Sequence, residues 1–223
     1  MNEEKKTDIE LIMWENSLAF FGAITASVSH EMNNILSIID QTNGLLDDLL
    51  YGVSQGGEIS EQRLRRISDG IANQTQRGVR IVKRLNTFAH SVDDPMREFD
   101  AVNLIDNFAR LAQRLASLKK VELVTESLGL EVKVKTSPFL LQQALFLLIQ
   151  RALGCSDEGD TVEIRTMMEE SEVIIEVEGS VFDHQYDSWD AGYMKKIVDL
   201  IGAEHYIIEK DDREIYRLAL PKH

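Results

Sequence analysis

Two apolar stripes at helical spacing, set one after the other, constrain this chain more than any other feature. In the first, Ile24, Val28, Ile35, Ile39, Thr42, Leu46 and Leu49 recur at steps of three, four or seven residues. They line one side of a helix from about Asp8 to Tyr51. In the second, Leu64, Ile67, Ile71, Gln74, Gly78, Ile81, Leu85 and Phe88 alternate three- and four-residue steps, a coiled-coil-like seam. Gly52, Gly56 and Gly57 separate the stripes, and Ser60 followed by Glu61 reads as a helix start. Long helices joined by a short loop make an antiparallel hairpin. A hairpin buries little by itself, so two copies are expected to pair into a four-helix bundle, a homodimer. Gln74 and Gly78 mark a loosely packed layer of that seam.

The pattern changes near Pro95, which divides a helical region at 1–95 from a mixed one at 100–223. Ala101 to about Ser117 is amphipathic, and Val121–Thr125 is a short strand. Leu130–Lys135 alternates apolar and charged residues, as a half-buried strand does. Ser137-Pro138 opens a helix to Leu153 that is apolar nearly all round and therefore deeply buried. Strands follow at Thr161–Met167 and Glu172–Val177. A helix runs from about Asp190 to Leu200 and ends at Gly202. Strands at His205–Glu209 and Glu214–Leu220 flank a turn at Asp211-Asp212. The fold class is α+β, a helical hairpin followed by helices layered on one sheet.

The formal charge of −14, from 38 acids against 24 bases, repels phosphate backbones and anionic lipid. Nucleic acid and membrane surfaces are therefore not the expected partners. A single cysteine, Cys155, cannot form an internal disulfide and fits a reducing compartment. The polar, acidic start at Met1 to Asp8 is unlike a signal peptide. The uncharged run Asn16 to His30 falls short of the roughly 20 apolar residues a bilayer span needs. A cytoplasmic protein is expected, with input arriving by protein contact.

The sharpest chemical feature is His30-Glu31-Met32-Asn33-Asn34 in the first helix. His30 lies two residues after stripe residue Val28, about 200° around the axis. It shares its strip with Ala23, Ser27, Asn34, Ser37 and Gln41, all small or polar, so an accessible ring is expected. A zinc-protease reading fails because that chemistry needs a histidine four residues on, where this chain has Asn34. No His, Cys or carboxylate cluster has metal-ligand spacing. His90, His184, His205 and His223 stand singly and read as structural or surface residues. Nucleophile elbow, Walker loop and catalytic Cys–His pair are also missing.

Ser27-Val28-Ser29-His30-Glu31-Met32-Asn33-Asn34-Ile35-Leu36 resembles the H-box of sensor histidine kinases. In that family the segment lies on the first helix of a dimeric hairpin, and its histidine accepts a phosphoryl group. The second helix, ending Ile81-Val82-Lys83-Arg84-Leu85-Asn86-Thr87-Phe88-Ala89, is similar to its counterpart there. The order of hairpin and α/β domain also matches, the latter being of the GHKL (Bergerat) ATPase type. The resemblance implies that Glu31 orients the His30 ring and that Asn34 is placed to align water for dephosphorylating a regulator. Ser27, Ser37 and Gln41 are candidate regulator contacts.

The nucleotide boxes depart from the family. Leu141-Gln142-Gln143-Ala144-Leu145 resembles the opening of its N-box helix. The two asparagines expected further on fall on Leu147 and Arg151, and neither replacement can ligate the magnesium ion of ATP. The family's Asp-x-Gly-x-Gly falls on Glu178-Gly179-Ser180-Val181-Phe182. Glu178 there stands where an acid would meet an adenine amine, and Ser180 and Phe182 replace glycines. The short, glycine-free segment after Gly179 leaves no room for an ATP lid.

The resemblance then implies a histidine phosphotransfer protein of a phosphorelay. His30 would take phosphate from a receiver-domain aspartate and pass it to another receiver, and no cofactor or metal would be bound by this chain. The magnesium ion of the reaction would belong to the receiver partner. Histidine, with an ordinary pKa of about 6.5, is a competent neutral nucleophile for this step. The alternatives are a divergent ATP-dependent kinase, a phosphatase of a receiver domain, and a non-catalytic scaffold or antagonist.

Overall fold

The computed structural model describes residues 3–126, 129–170, 172–180, 191–210 and 213–221. Helix α1 spans Glu3–Ser54 and α2 spans Glu61–Ala89, followed by a 3-10 turn at His90–Val92. The chain divides into two compact units, residues 25–86 and residues 1–24 together with 87–223.

In the unit of residues 25–86, the stripe residues Val28, Ile35 and Ile81 are buried between the two helices. Ser60 caps α2, its Oγ accepting from the Arg63 amide at 3.3 Å. The layer at Gly78 has room for one more atom. A Cβ there would meet Met32 Cε at 3.5 Å and Ile35 Cγ2 at 3.8 Å, ordinary contacts. A second apolar set, Leu36, Leu45, Leu50, Val79 and Val82, remains exposed on the hairpin.

The other unit is a helix layer on a sheet. Strand β1 (Arg97–Asp100) pairs antiparallel with β3 (Lys133–Thr136) in a two-stranded sheet. Helix α3 (Ala101–Leu118) separates β1 from β2 (Glu122–Glu126). The helix α4 (Pro138–Gly154) precedes β4 (Thr161–Glu169) and β5 (Glu172–Ser180). Helix α5 (Ala191–Ile201), β6 (Glu204–Lys210) and β7 (Arg213–Pro221) complete the order. The large sheet runs β2-β4-β5-β7-β6, with β2–β4 parallel and the remaining pairs antiparallel.

Helix α4 is buried on almost every side, as its composition requires, and Ser137 caps it by accepting from the Leu140 amide at 3.3 Å. Gly202, at φ +68°, ends α5 in the left-handed region. Strand β1 was not legible in sequence, since only Phe99 in it is apolar. The strand expected at Leu130–Lys135 instead spans Lys133–Thr136. Its first residues are used otherwise: the Val132 carbonyl accepts from Ala101 N, and Val132 N donates to the Asp100 carboxylate that also caps α3.

Residues of α1 before Thr25 belong to this unit. Phe20, 1% exposed, sits edge-on to Phe88 at 5.3 Å between centroids and packs on Phe108, Phe139 and Phe146. Such ring pairs add about 0.5–1.5 kcal/mol each beyond burial. The uncharged run Asn16–His30 is too short to span a bilayer, but the helix that contains it is not. By length and composition alone, Leu11–Ser54 is long and apolar enough to cross a membrane, an 18-residue stretch of it having mean hydropathy 1.3.

Candidate functional site

His30 is exposed on α1, as its helical position requires. Asn34, one turn further on and also exposed, places its Nδ2 3.3 Å from His30 Nδ1. Glu31 does not meet the ring. Its carboxylate is held at 2.8 Å by Arg77 of α2, across the hairpin and 46 residues away. Adjacent helical residues point about 100° apart, so one partner of α2 is enough to draw Glu31 aside. Ser37 and Gln41 continue the exposed strip beyond Asn34. Ser27 does not: it is 6% exposed, so it is not part of the accessible strip that the sequence assigned it to. Its place at the margin of that strip, 60° from His30, turns it toward the packed side. Arg77 was missed by sequence reasoning, which has no local signal for a contact across two helices.

The degenerate positions lie in the other unit, on two different faces of its sheet. Leu147 is half-buried and lines a small cavity of about 110 Å³ with Asn16, Gln143, Gln150 and Tyr193. Gln143 donates to Ser17 Oγ at 3.1 Å, which ties α4 to the first turns of α1. Burial pushes the Tyr193 phenol up to about 12, with Ser17 opposing the rise.

Arg151 is fixed in place. Its Nε donates to the Tyr216 hydroxyl at 2.7 Å, and its guanidinium lies 5.4 Å from the centre of that ring. Tyr216, fully buried, in turn donates to Glu214, 8% exposed. Burial, with the Glu214 carboxylate adding to it and Arg151 opposing it, pushes this phenol far above its usual range, so it is the donor to Glu214. His205, stacked on Tyr216 at 6.4 Å, has its pKa lowered by burial and then by the charge of Arg151. A cationic side chain, a phenol, a carboxylate and an imidazole thus form one polar cluster around the buried Tyr216. The sequence had read His205 as a solitary structural or surface histidine.

Glu178 is not on that side. Val177 pairs with Tyr216 and is buried beneath the helices, and a Cβ on Gly179 would lie 3.0 Å from Ala152 of α4. Alternation along β5 then turns Glu178 to the opposite face. There Arg165 and Arg213 grip it at 2.6 and 2.7 Å. Burial pushes the Glu178 carboxyl up, but the bonds and charges of Arg213 and Arg165 outweigh it and the net direction is down. Its expected position facing a base is corrected accordingly; the inward position is Gly179, which has no side chain to offer. Ser180 ends β5. Phe182, the segment 181–190 read as lacking a lid, His184, the turn Asp211-Asp212 and His223 lie outside the described residues. Among the described residues, no three His, Cys, Asp or Glu side chains gather as metal ligands.

No protein-family model matches the sequence, and no curated protein does. Solved structures do. The catalytic domain of histidine kinase ThkA is 16% identical over 57% of this chain and 96% of that one, with a TM-score of 0.51. ThkA in complex with response regulator protein TrrA is 17% identical, over 100% of this chain and 68% of that one, at TM-score 0.50. The cytoplasmic segment of histidine kinase QseC is 16% identical, over 66% and 95%, at TM-score 0.48. The chain has a histidine-kinase-like fold, α+β.

Proposed function

We propose that this chain is a signal-transducing phosphotransfer protein whose His30 exchanges a phosphoryl group with the aspartate of a response-regulator receiver domain. The observation that carries this reading is the accessible His30 on a hairpin helix, with Asn34 one turn away and Ser37 and Gln41 along the same strip. That a histidine kinase of similar fold is bound to response regulator TrrA supports the choice of partner. In the step itself, an imidazole nitrogen attacks phosphorus in line and the receiver carboxylate leaves. Transfer between two high-energy phosphoryl states is nearly balanced, so it runs in both directions. The magnesium ion belongs to the receiver partner.

Residues of the α/β unit speak against a Mg–ATP complex here. Leu147 has no polar atom, Arg151 is a cation bonded to Tyr216, and Gly179 has no side chain. The likeness to histidine kinases favours a second reading, a divergent ATP-dependent sensor kinase, more than it favours a dedicated phosphotransferase. Labelling separates them. Purified wild type and His30→Gln are incubated with magnesium ATP alone, and in parallel with phosphorylated receiver domains. Label from a receiver only, and lost with His30, is the expected result. Label from ATP alone would establish the kinase, and label independent of His30 would sink both.

The exposed apolar set Leu36, Leu45, Val79 and Val82 supports pairing of two hairpins into a four-helix bundle. Light scattering is expected to give twice the chain mass, and a stable monomer would refute the pairing. We place the protein in the cytoplasm. Phe20 and Ile24 of α1 are spent inside the fold, and His30, Glu31 and Asn34 interrupt the helix with groups that a bilayer excludes.

A further inference from the structure

Glu31 is committed to Arg77, so the side chain that addresses the His30 ring is Asn34. An imidazole nitrogen is a nucleophile only through its lone pair, and a neutral ring has one such nitrogen and one N–H. Asn34 sits at Nδ1. When its amino group faces Nδ1 and donates to it, the Nδ1 lone pair is used, and the ring proton is on Nε2. The outer nitrogen is then an N–H and cannot attack. A half-turn of the amide brings Oδ1 to the same place. Oδ1 only accepts, so it holds the proton on Nδ1 and leaves the Nε2 lone pair facing outward. Asn34 is exposed, and the half-turn displaces no packed neighbour. Among side chains, a primary amide can take both roles from one position.

We propose that Asn34 is a positioning residue that decides which nitrogen of His30 carries the proton, and thereby whether the ring rests or reacts. In the structure the amino group faces the ring, the resting arrangement. This inference rests on the reading of His30 as phosphoacceptor. In the reactive arrangement Nε2 forms the N–P bond as the P–O bond to the receiver aspartate breaks. The aspartate leaves as carboxylate, and the Nδ1 proton stays in place, its positive charge shared with Asn34 Oδ1. In the reverse transfer a receiver carboxylate forms the P–O bond, the N–P bond breaks, and its electron pair returns to Nε2, which leaves the ring neutral with its proton on Nδ1. A receiver that accepts a hydrogen bond from the Asn34 amino group would turn the carbonyl inward, so docking itself would arm the ring.

The test uses the full chain with 15N-labelled histidine. Long-range proton–nitrogen spectra are recorded at a pH of about 8.5, some two units above the ordinary histidine value. His30 is assigned by its loss in His30→Gln. Wild type is expected to hold mainly the Nε2–H form. Asn34→Asp, whose carboxylate only accepts, is expected to move the ring to the Nδ1–H form. Asn34→Leu, which offers neither group, is expected to change the wild-type ratio by about 2- to 10-fold, the worth of one ordinary hydrogen bond. Equal ratios in the three proteins would overturn the proposal. Phosphotransfer from a receiver domain, followed against pH, is the second readout. Its rate should track the Nδ1–H fraction across the variants, and a rate indifferent to that fraction would also overturn it. Spectra that follow residue 34 in a protein that takes no phosphate would instead remove the phosphoacceptor reading and leave the proton assignment standing.

Discussion

Removing one oxygen atom tests the polar cluster of the α/β unit most directly. Tyr216→Phe keeps the ring, which is fully buried, so no cavity opens and the contact with the Arg151 guanidinium is retained. What is lost is the hydroxyl that accepts from Arg151 and donates to Glu214. Each is a hydrogen bond to a charged group, worth about 1.5–3 kcal/mol. Glu214, 8% exposed, would lose a donor where water has little access. Part of the loss returns if Arg151 swings toward that carboxylate, so a net cost of about 2–4 kcal/mol is expected. For a chain of this size that lowers Tm by roughly 4–16 °C, at about 2–4 °C per kcal/mol. Urea unfolding and calorimetry of both proteins measure it. A loss below about 0.5 kcal/mol, the scale of an ordinary surface change, would refute the claim that this chain of bonds holds the cluster together. The same scans with millimolar magnesium ATP are expected to show no rise in stability, because a ligand of the native state must raise it.

Other expectations follow from the geometry. Gly78→Ala should stabilise the hairpin by about 0.5–1 kcal/mol, because helix propensity rises and the added methyl meets Met32 at 3.5 Å, an ordinary contact. Destabilisation on urea titration would mean that α1 and α2 need the glycine for a closer approach. His205 makes stability pH-dependent. Its folded pKa is depressed by burial and by Arg151, so the unfolded chain binds more protons as pH falls below the ordinary value of about 6.5. Stability is therefore complete well above that value and declines as pH falls through it, and His205→Gln should flatten the decline. A profile unchanged by the substitution would assign it to another group.

Much of this architecture is legible in sequence because it rests on short-range rules. The stripes around Val28 and Ile81, the caps at Ser60 and Ser137 and the stop at Gly202 are each set within a few residues. What was not legible depends on partners far along the chain. Strand β1 exists because Lys133–Thr136 pairs with it, and Glu31 points where Arg77 draws it. The Glu178 error has a different cause. A motif match ignored the two-residue period of the strand, by which Val177 and Gly179 face α4 and Glu178 faces away. At the candidate site the helical wheel placed His30, Asn34, Ser37 and Gln41 on one exposed strip, and it failed only at Ser27, on the edge of that strip.

The face to which Glu178 turns has a consequence for how the protein comes apart. Arg165 joins Glu126, Glu163 and Glu178, Arg213 reinforces the last, and Arg217 joins Glu169 and Glu176. Apolar contacts cease to gain strength on heating, whereas the desolvation cost of charge networks falls. Warming therefore leaves this lattice comparatively intact while the helix side loosens. Acid strikes both faces, because a protonated Glu178 leaves Arg165 and Arg213 without its counter-charge while His205 gains a charge on the helix side. The route of unfolding therefore depends on which of the two is applied.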